Sequence, residues 1–178
     1  MLKGKKVALT TVEKEDLETM RLWRNNEEFR KHFREYRELD RESQDKWYRE
    51  KVLADDRTLM FAVRDLETNE LVGVCGLCYI NWVHRHADLS LYIGWQNSYI
   101  DDAGFAEDAC QVLFQYAFGE LNLHKIWTEI YEFDVKKYEL YTQLGFKLDG
   151  LLRDNYFYDG RWWDSRILSI LSDHGSHS

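Results

Sequence analysis

The sequence predicts an α/β domain of the α+β kind, with a mixed, mostly antiparallel sheet and helices on both of its faces. Three observations predict it. Residues 58 to 64 (TLMFAVR), 71 to 80 (LVGVCGLCYI) and 87 to 93 (ADLSLYI) are β-rich and separated by turn signals such as Glu67-Thr68-Asn69-Glu70, so they read as a three-strand meander. Ala106, Ala109, Cys110, Leu113, Phe114, Ala117 and Phe118 recur at the spacing of one buried helix face. From residue 88 onward the pattern runs strand, helix, strand, helix, strand, which requires at least one parallel pair within the sheet.

The remaining elements follow in order. Residues 5 to 12 (KKVALTTV) alternate as a strand, and EKEDLETMRLWRNN places Leu17, Met20 and Trp23 at helical spacing. A second helix is expected from Ser43, as its N-cap, through Trp47 to Leu53. Beyond the buried stripe come a strand (KIWTEIY, 125 to 131), a helix over 134 to 144 ending at Gly145, and two β segments between Arg153 and Leu171. The expected order is β-α-α-β-β-β-α-β-α-β-β. In such a fold a ligand is expected where strands diverge, at the C-terminal end of the 88 to 94 strand beside the start of the 104 to 118 helix.

Composition narrows the class. A chain of 178 residues with 44% hydrophobic and 15% aromatic residues builds one globular domain, expected over 1 to 171, with a polar tail over 172 to 178. A formal net charge of -8 argues against nucleic acid and anionic membranes as partners and suits a cationic one. No apolar run approaches the ~20 residues of a membrane span, and the first residues (MLKGKKVALTTV) lack the apolar centre of a signal peptide, so the expectation is cytoplasmic. Cys75 and Cys78 have CxxC spacing, yet an odd separation on a strand points them to opposite faces; packing rather than metal or redox chemistry is expected, and no metal site.

Certain phrases carry a family likeness: ADLSLYIG, the helix start GFAEDA, YAFGELNLHKIWTEI, KKYELYTQLGF and GLLRDNYFYDGRWWDSRILSIL. Together they resemble the GNAT superfamily of N-acetyltransferases, and within it the branch of the ribosomal-protein alanine acetyltransferases. The resemblance covers Asp88 to Leu171; the first half agrees in element order and in the ending TMRLWRNN. It implies the GNAT acyl-CoA N-acyltransferase fold, acetyl-CoA as co-substrate, and transfer of the acetyl group to a primary amine by direct attack.

The resemblance also implies site residues. The family's Gln/Arg-x-x-Gly-x-Gly/Ala loop, which holds the coenzyme A pyrophosphate on backbone N–H groups and a helix N-terminus, falls on Asp101-Asp102-Ala103-Gly104-Phe105-Ala106. Asp102, Ala103, Gly104, Phe105 and Ala106 are thereby expected to bind the cofactor, although Asp101 and Asp102 depart from the motif and would repel a diphosphate. Read without the family, both aspartates favour the positive end of the helix dipole. The backbone of Leu91, Tyr92 and Ile93 is implied to pair with the pantetheine arm. Tyr141 matches the general acid that protonates the leaving thiolate, and Asp88 the position of a base for the ammonium. Read as residues alone, Tyr141 is a core tyrosine and Asp88 an ion-paired carboxylate. Asp134 is expected either to cap its helix or to touch ligand, and Lys137 to reach phosphate or to lie in solvent.

His84 and His86 stand as alternative bases and His124 as a structural hydrogen-bonding residue, while Cys110, on a buried stripe, is no nucleophile. Trp82, Trp95, Tyr156, Trp162 and Trp163 would wall an acceptor pocket, seal the core or form a subunit contact, and a homodimer is one outcome. The acceptor is a small-molecule amine such as a polyamine or amino sugar, or a protein N-terminus. Two rival readings are a GNAT-like binding domain that has lost catalysis, favoured by the Asp101-Asp102 pair, and a polyamine or cation sensor.

Overall fold

The computed structural model describes residues 1–173; the tail expected over 172 to 178 lies, from His174 on, outside the described residues. Thirteen labelled elements run β1 (Leu2–Lys3), β2 (Val7–Thr11), α1 (Leu17–Asn25), α2 (Glu27–Arg30), α3 (Arg41–Trp47), β3 (Leu59–Asp65), β4 (Leu71–Asn81), β5 (His86–Ile93), α4 (Phe105–Gly119), β6 (Lys125–Tyr131), α5 (Val135–Gln143), β7 (Lys147–Tyr158) and β8 (Arg161–Leu171). The expected order holds, with the short β1 and α2 added. The helix expected from Ser43 begins earlier, because the Asp40 carboxylate, rather than Ser43, takes the cap position and accepts from the Ser43 N–H at 2.7 Å. It then widens into a π-helical turn over Tyr48–Leu53.

One eight-stranded sheet in the order β1-β2-β3-β4-β5-β6-β8-β7 holds the fold together. Its pairs are antiparallel except β5 with β6, as the crossover through α4 requires. One face packs α4 and α5 through Leu89, Leu91, Ile93, Ala109, Leu113 and Ile126; the other packs α1 and α3 through Val12, Leu17, Met20, Tyr48 and Tyr92. The alternation along β5 therefore sends Leu89, Leu91 and Ile93 to one layer and Tyr92 to the other. Cys75 is sealed in the first layer while Cys78 is half-buried on the opposite face, which their odd spacing predicts.

Two tethers position the site. The buried Asp108 of α4 accepts from the N–H groups of Lys5, Lys6 and Val7 at 3.1, 2.7 and 2.9 Å, docking the start of β2 on the helix. Gly94 ends β5 without a side chain because a Cβ there would lie 1.9 Å from the Trp23 ring of α1. The first tether fixes α4 against the sheet, and the second fixes the end of β5 that opens into the site.

Candidate active site

Pairing between β5 and β6 covers His86↔Lys125, Ala87↔Ile126 and Asp88↔Trp127 and stops there, although β5 continues to Ile93 and β6 to Tyr131. The two strands diverge and leave a slot. Gly94 N–H donates to Val72 O at 2.9 Å, toward β4, whereas Ile93 N–H donates to Tyr99 O at 3.0 Å on the opposite side. Backbone groups alternate along a strand, so Leu89, Leu91 and Ile93 face the slot and Ser90 and Tyr92 face β4. This corrects the expectation for the pantetheine arm. Leu91 presents its backbone to the slot, Ile93 has its N–H occupied by Tyr99, and Tyr92 lies on the wrong edge, in register with Val74.

Side chains divide likewise. Asp88, 5% exposed, stands where the strands part. Burial pushes its carboxyl up to about 6, against the opposing pull of the Arg34 guanidinium, whose Nη1 donates to Asp88 Oδ2 at 3.0 Å. Arg34 Nη2 also lies 3.7 Å from Glu129 Oε1 of β6. A cavity of 280 Å³ contains this triad together with Leu91 and Lys137. A second cavity of 470 Å³, walled by Met20, Trp47, Glu50 and Tyr92, shares Arg24, Glu35, Cys78 and Ser90 with the first. The slot and the hollow above β5 are thus neighbours.

From the opposite layer α5 contributes Tyr141, 0% exposed, stacked on Phe146 with ring centroids 5.1 Å apart. Its hydroxyl has no hydrogen-bond partner among the described residues, and burial raises its pKa well above the phenol range. A buried hydroxyl without a partner costs free energy, and a ligand atom reaching it would recover that cost. Asp134 caps α5 by accepting from Lys137 N–H at 3.2 Å, and lies 3.2 Å from His32 Nδ1 without hydrogen-bond alignment. Burial opposes the charged form of Asp134, yet His32 and Lys137 carry its carboxyl below the usual value. Lys137 neither reaches the α4 tip nor lies in solvent: its ammonium sits 4.7 Å over the Tyr99 ring, and burial lowers its pKa against the fields of Asp134 and Asp88.

The α4 tip carries its own anion. Asp101 is buried, and its two carboxylate oxygens accept from Phe105 N–H and Ala106 N–H, both at 2.9 Å. Two of the four donors that a helix start leaves unpaired are thus taken by the chain's own anion. Phe105 and Ala106 therefore do not offer the N–H groups expected of them. Gly104 adopts φ +90, the left-handed turn that brings Asp101 back onto the helix. Asp102 points outward, 93% exposed, 3.4 Å from Lys136 Nζ, and Lys6 Nζ donates to Ala103 O at 2.5 Å. Lys6 and Lys136 stand as the cations of this loop.

Other candidates lie elsewhere. His84 and His86 stack on each other, 6.4 Å apart, at the opposite end of β5 and line neither cavity. His124 Nδ1 meets Ser172 Oγ at 3.2 Å, a structural contact. Trp82 donates to Asp56 O, Trp95 packs edge-on against Phe105, and Tyr156 stacks on Tyr131, and none of them lines the 470 Å³ hollow, where Trp47 stands instead. Arg34, Glu129 and His32 line the slot and escape sequence reasoning, because only tertiary contacts bring them to Asp88 and Asp134. Among the described residues no group of three His, Cys, Asp or Glu side chains could hold a metal ion, and no helix is long and apolar enough to cross a membrane.

Comparison with known proteins accords with this geometry. Residues 6–147 match the profile of a family described as Acetyltransferase (GNAT) domain. The spermidine N(1)-acetyltransferase of Vibrio cholerae is 32% identical over 121 residues, 68% of each chain. The probable N-acetyltransferase YjcK of Bacillus subtilis is 29% identical over 183 residues, 97% of each. A crystal structure of the Vibrio cholerae spermidine N-acetyltransferase in complex with CoA and spermine superposes with a TM-score of 0.84 at 28% identity, covering 93% of this chain and 95% of that one. By profile, relatives and fold together, the chain belongs to the GNAT acetyltransferase family, whose members pass the acetyl group of acetyl-CoA to a primary amine.

Proposed function

We propose that this single-domain chain acetylates a small polyamine, with Asp88 as the base and Tyr141 as the acid. The observation that carries the reading is the slot itself: where β5 leaves β6, the buried Asp88 carboxylate and the strand edge at Leu91 line one cavity with Lys137, and behind Lys137, whose ammonium lies 6.0 Å from its ring, the Tyr141 hydroxyl is buried without a partner among the described residues. The acceptor arrives as an ammonium, and Asp88, raised to about 6, accepts its proton directly or through water. The free amine then attacks the thioester carbonyl carbon, and the Leu91 N–H stands ready to donate to the developing oxyanion. As the C–N bond forms and the C–S bond breaks, the Tyr141 hydroxyl donates its proton to the departing sulfur, and the extra proton on the attacking nitrogen passes through water to the tyrosinate, which leaves a neutral amide, a free thiol and the phenol restored. Cys110, buried with its thiol pushed up to about 12, supplies no nucleophile.

The cofactor fits the two ends of the slot unequally. The thioester end offers Leu91 and Tyr141; the diphosphate end keeps Ala103, Gly104, Lys6 and Lys136 while Asp101 covers Phe105 and Ala106. The second reading, a binding domain that has lost catalysis, draws its support from that cover alone. Kinship with the ribosomal-protein alanine acetyltransferases would make the acceptor a protein N-terminus; the spermidine enzymes among the relatives favour a polyamine instead. Pairing of two copies through the exposed apolar side chains of β7 and β8, Leu151, Phe157 and Trp162, suits a homodimer. The experiment is thiol release from acetyl-CoA across a panel of spermidine, spermine, an amino sugar and an alanyl peptide. Fastest release with a polyamine supports the reading; release with the peptide alone overturns the acceptor, and binding of amine without release overturns catalysis.

A further inference from the structure

Asp88 and Glu129 come from neighbouring strands and stand on either side of one cation, the guanidinium of Arg34. The two carboxylate side chains are 7% and 14% exposed, whereas Arg34 is 48% exposed and enters from the solvent side. Glu129 is held in place from behind: its Oε2 accepts from Asn155 Nδ2 at 3.3 Å and Ser165 Oγ at 3.1 Å, leaving Oε1 turned to the slot. Two partly desolvated carboxylates so close need a cation between them, or one of them takes up a proton.

The segment that delivers Arg34 is pinned at its two ends. Tyr156 donates to Lys31 O at 3.0 Å, and Leu39 exchanges hydrogen bonds with Asn25 at 2.7 and 2.8 Å. Between Arg34 and Glu38 the backbone N–H bond found among the described residues is the local one from Arg37 to Glu35 Oε1. Arg34 is therefore held in the slot by its side chain, while the chain on either side of it is anchored elsewhere. Its contact with Glu129 is long enough to be an ion pair rather than a hydrogen bond.

We infer that Arg34 is the gate of the acceptor seat: an incoming primary ammonium replaces its guanidinium between Asp88 and Glu129, and Arg34 thereby sets acceptor affinity. The inference rests on the amine-acetylating reading of the slot. An ammonium carries the same unit charge with three donors on one atom, so it meets both carboxylates without the planar fork of a guanidinium. Replacing one unit cation by another leaves the net charge between the two carboxylates unchanged. It also puts the amine nitrogen against Asp88, the group proposed to take its proton.

The test is calorimetric titration of spermidine into native protein, Arg34→Gln, Arg34→Lys and Glu129→Gln, with acetyl-CoA kinetics in parallel. Arg34→Gln removes the competitor and is expected to bind spermidine about fivefold more tightly, the scale of one exposed ion pair. Arg34→Lys, which keeps a cation on the segment, is expected to stay near the native affinity, and Glu129→Gln to bind more weakly. KM for acetyl-CoA is expected to be unchanged in all three. Weaker or equal spermidine binding by Arg34→Gln, with native-like melting, overturns the gate. Absence of thiol release from every form would sink the acetyltransferase reading while the binding series still decides the gate.

Discussion

The two ends of the slot each hold an internal counter-charge, and they hold it differently. At the α4 tip Asp101 reaches only to Phe105 and Ala106, through two hydrogen bonds of 2.9 Å. At the acceptor end Arg34 comes from a segment far away in sequence and makes one hydrogen bond of 3.0 Å and one looser ion pair. The first is a helix cap, local and geometrically set by Gly104; the second is an exchangeable contact of a half-exposed side chain. The difference teaches where each ligand meets resistance: a diphosphate must share or displace a built-in cap, whereas an ammonium has only to exchange with a guanidinium.

The sharpest way to break this comparison is at the acceptor end. Asp88→Asn is expected to lower kcat/KM by about 10²- to 10⁴-fold, the usual loss of a positioned base; a loss below tenfold in the thiol-release assay would return Asp88 to the role of an ion-paired carboxylate. Tyr141→Phe is expected to lower kcat by about 10²-fold without lowering the melting temperature, because it removes a buried hydroxyl that has no partner. Lost stability with kcat retained would make Tyr141 a core residue only.

The pH profile sharpens the same end. Asp88 acts as a base only when ionised, so activity is expected to rise as pH passes about 6, and Arg34→Gln to move that limb upward because the guanidinium holds the value down. For stability the sign is opposite. The folded protein holds this proton more tightly than the unfolded chain, so the contribution of Asp88 is full below the usual carboxylate range and is lost as pH rises through about 6. Melting curves between pH 4 and pH 7 on native protein and Asp88→Asn read it out. At the other end, Asp101→Gly is expected to cost about 1 kcal/mol of stability through the lost cap. The smallest effect belongs to Asp102→Ala, within about 0.5 kcal/mol, since that carboxylate faces solvent beside Lys136.

What was legible in the sequence follows the range of the interactions. The α4 stripe, the β3 to β5 meander and the parallel crossover rest on local periodicity, and the structure reproduces them. The alternation that separates Tyr92 from Leu91 is also written in the chain: the family likeness implies the backbone of all three residues 91 to 93, a period of two turns only Leu91 and Ile93 toward the slot, and the Ile93 N–H is taken by Tyr99. The sequence marks Asp101 as a misfit against a diphosphate, yet its role as cap needs the left-handed turn at Gly104, which a spacing argument does not fix. Arg34 and Glu129 left no local signal, because their meeting depends on the segment between α2 and α3 folding over the end of β6.

Calorimetric titration of acetyl-CoA into native protein and Asp101→Gly tests the account most directly. Binding by the native chain, tightened several-fold once the carboxylate no longer covers Phe105 and Ala106, is the predicted result. No heat of binding from either protein at millimolar acetyl-CoA, with both folded, would contradict it.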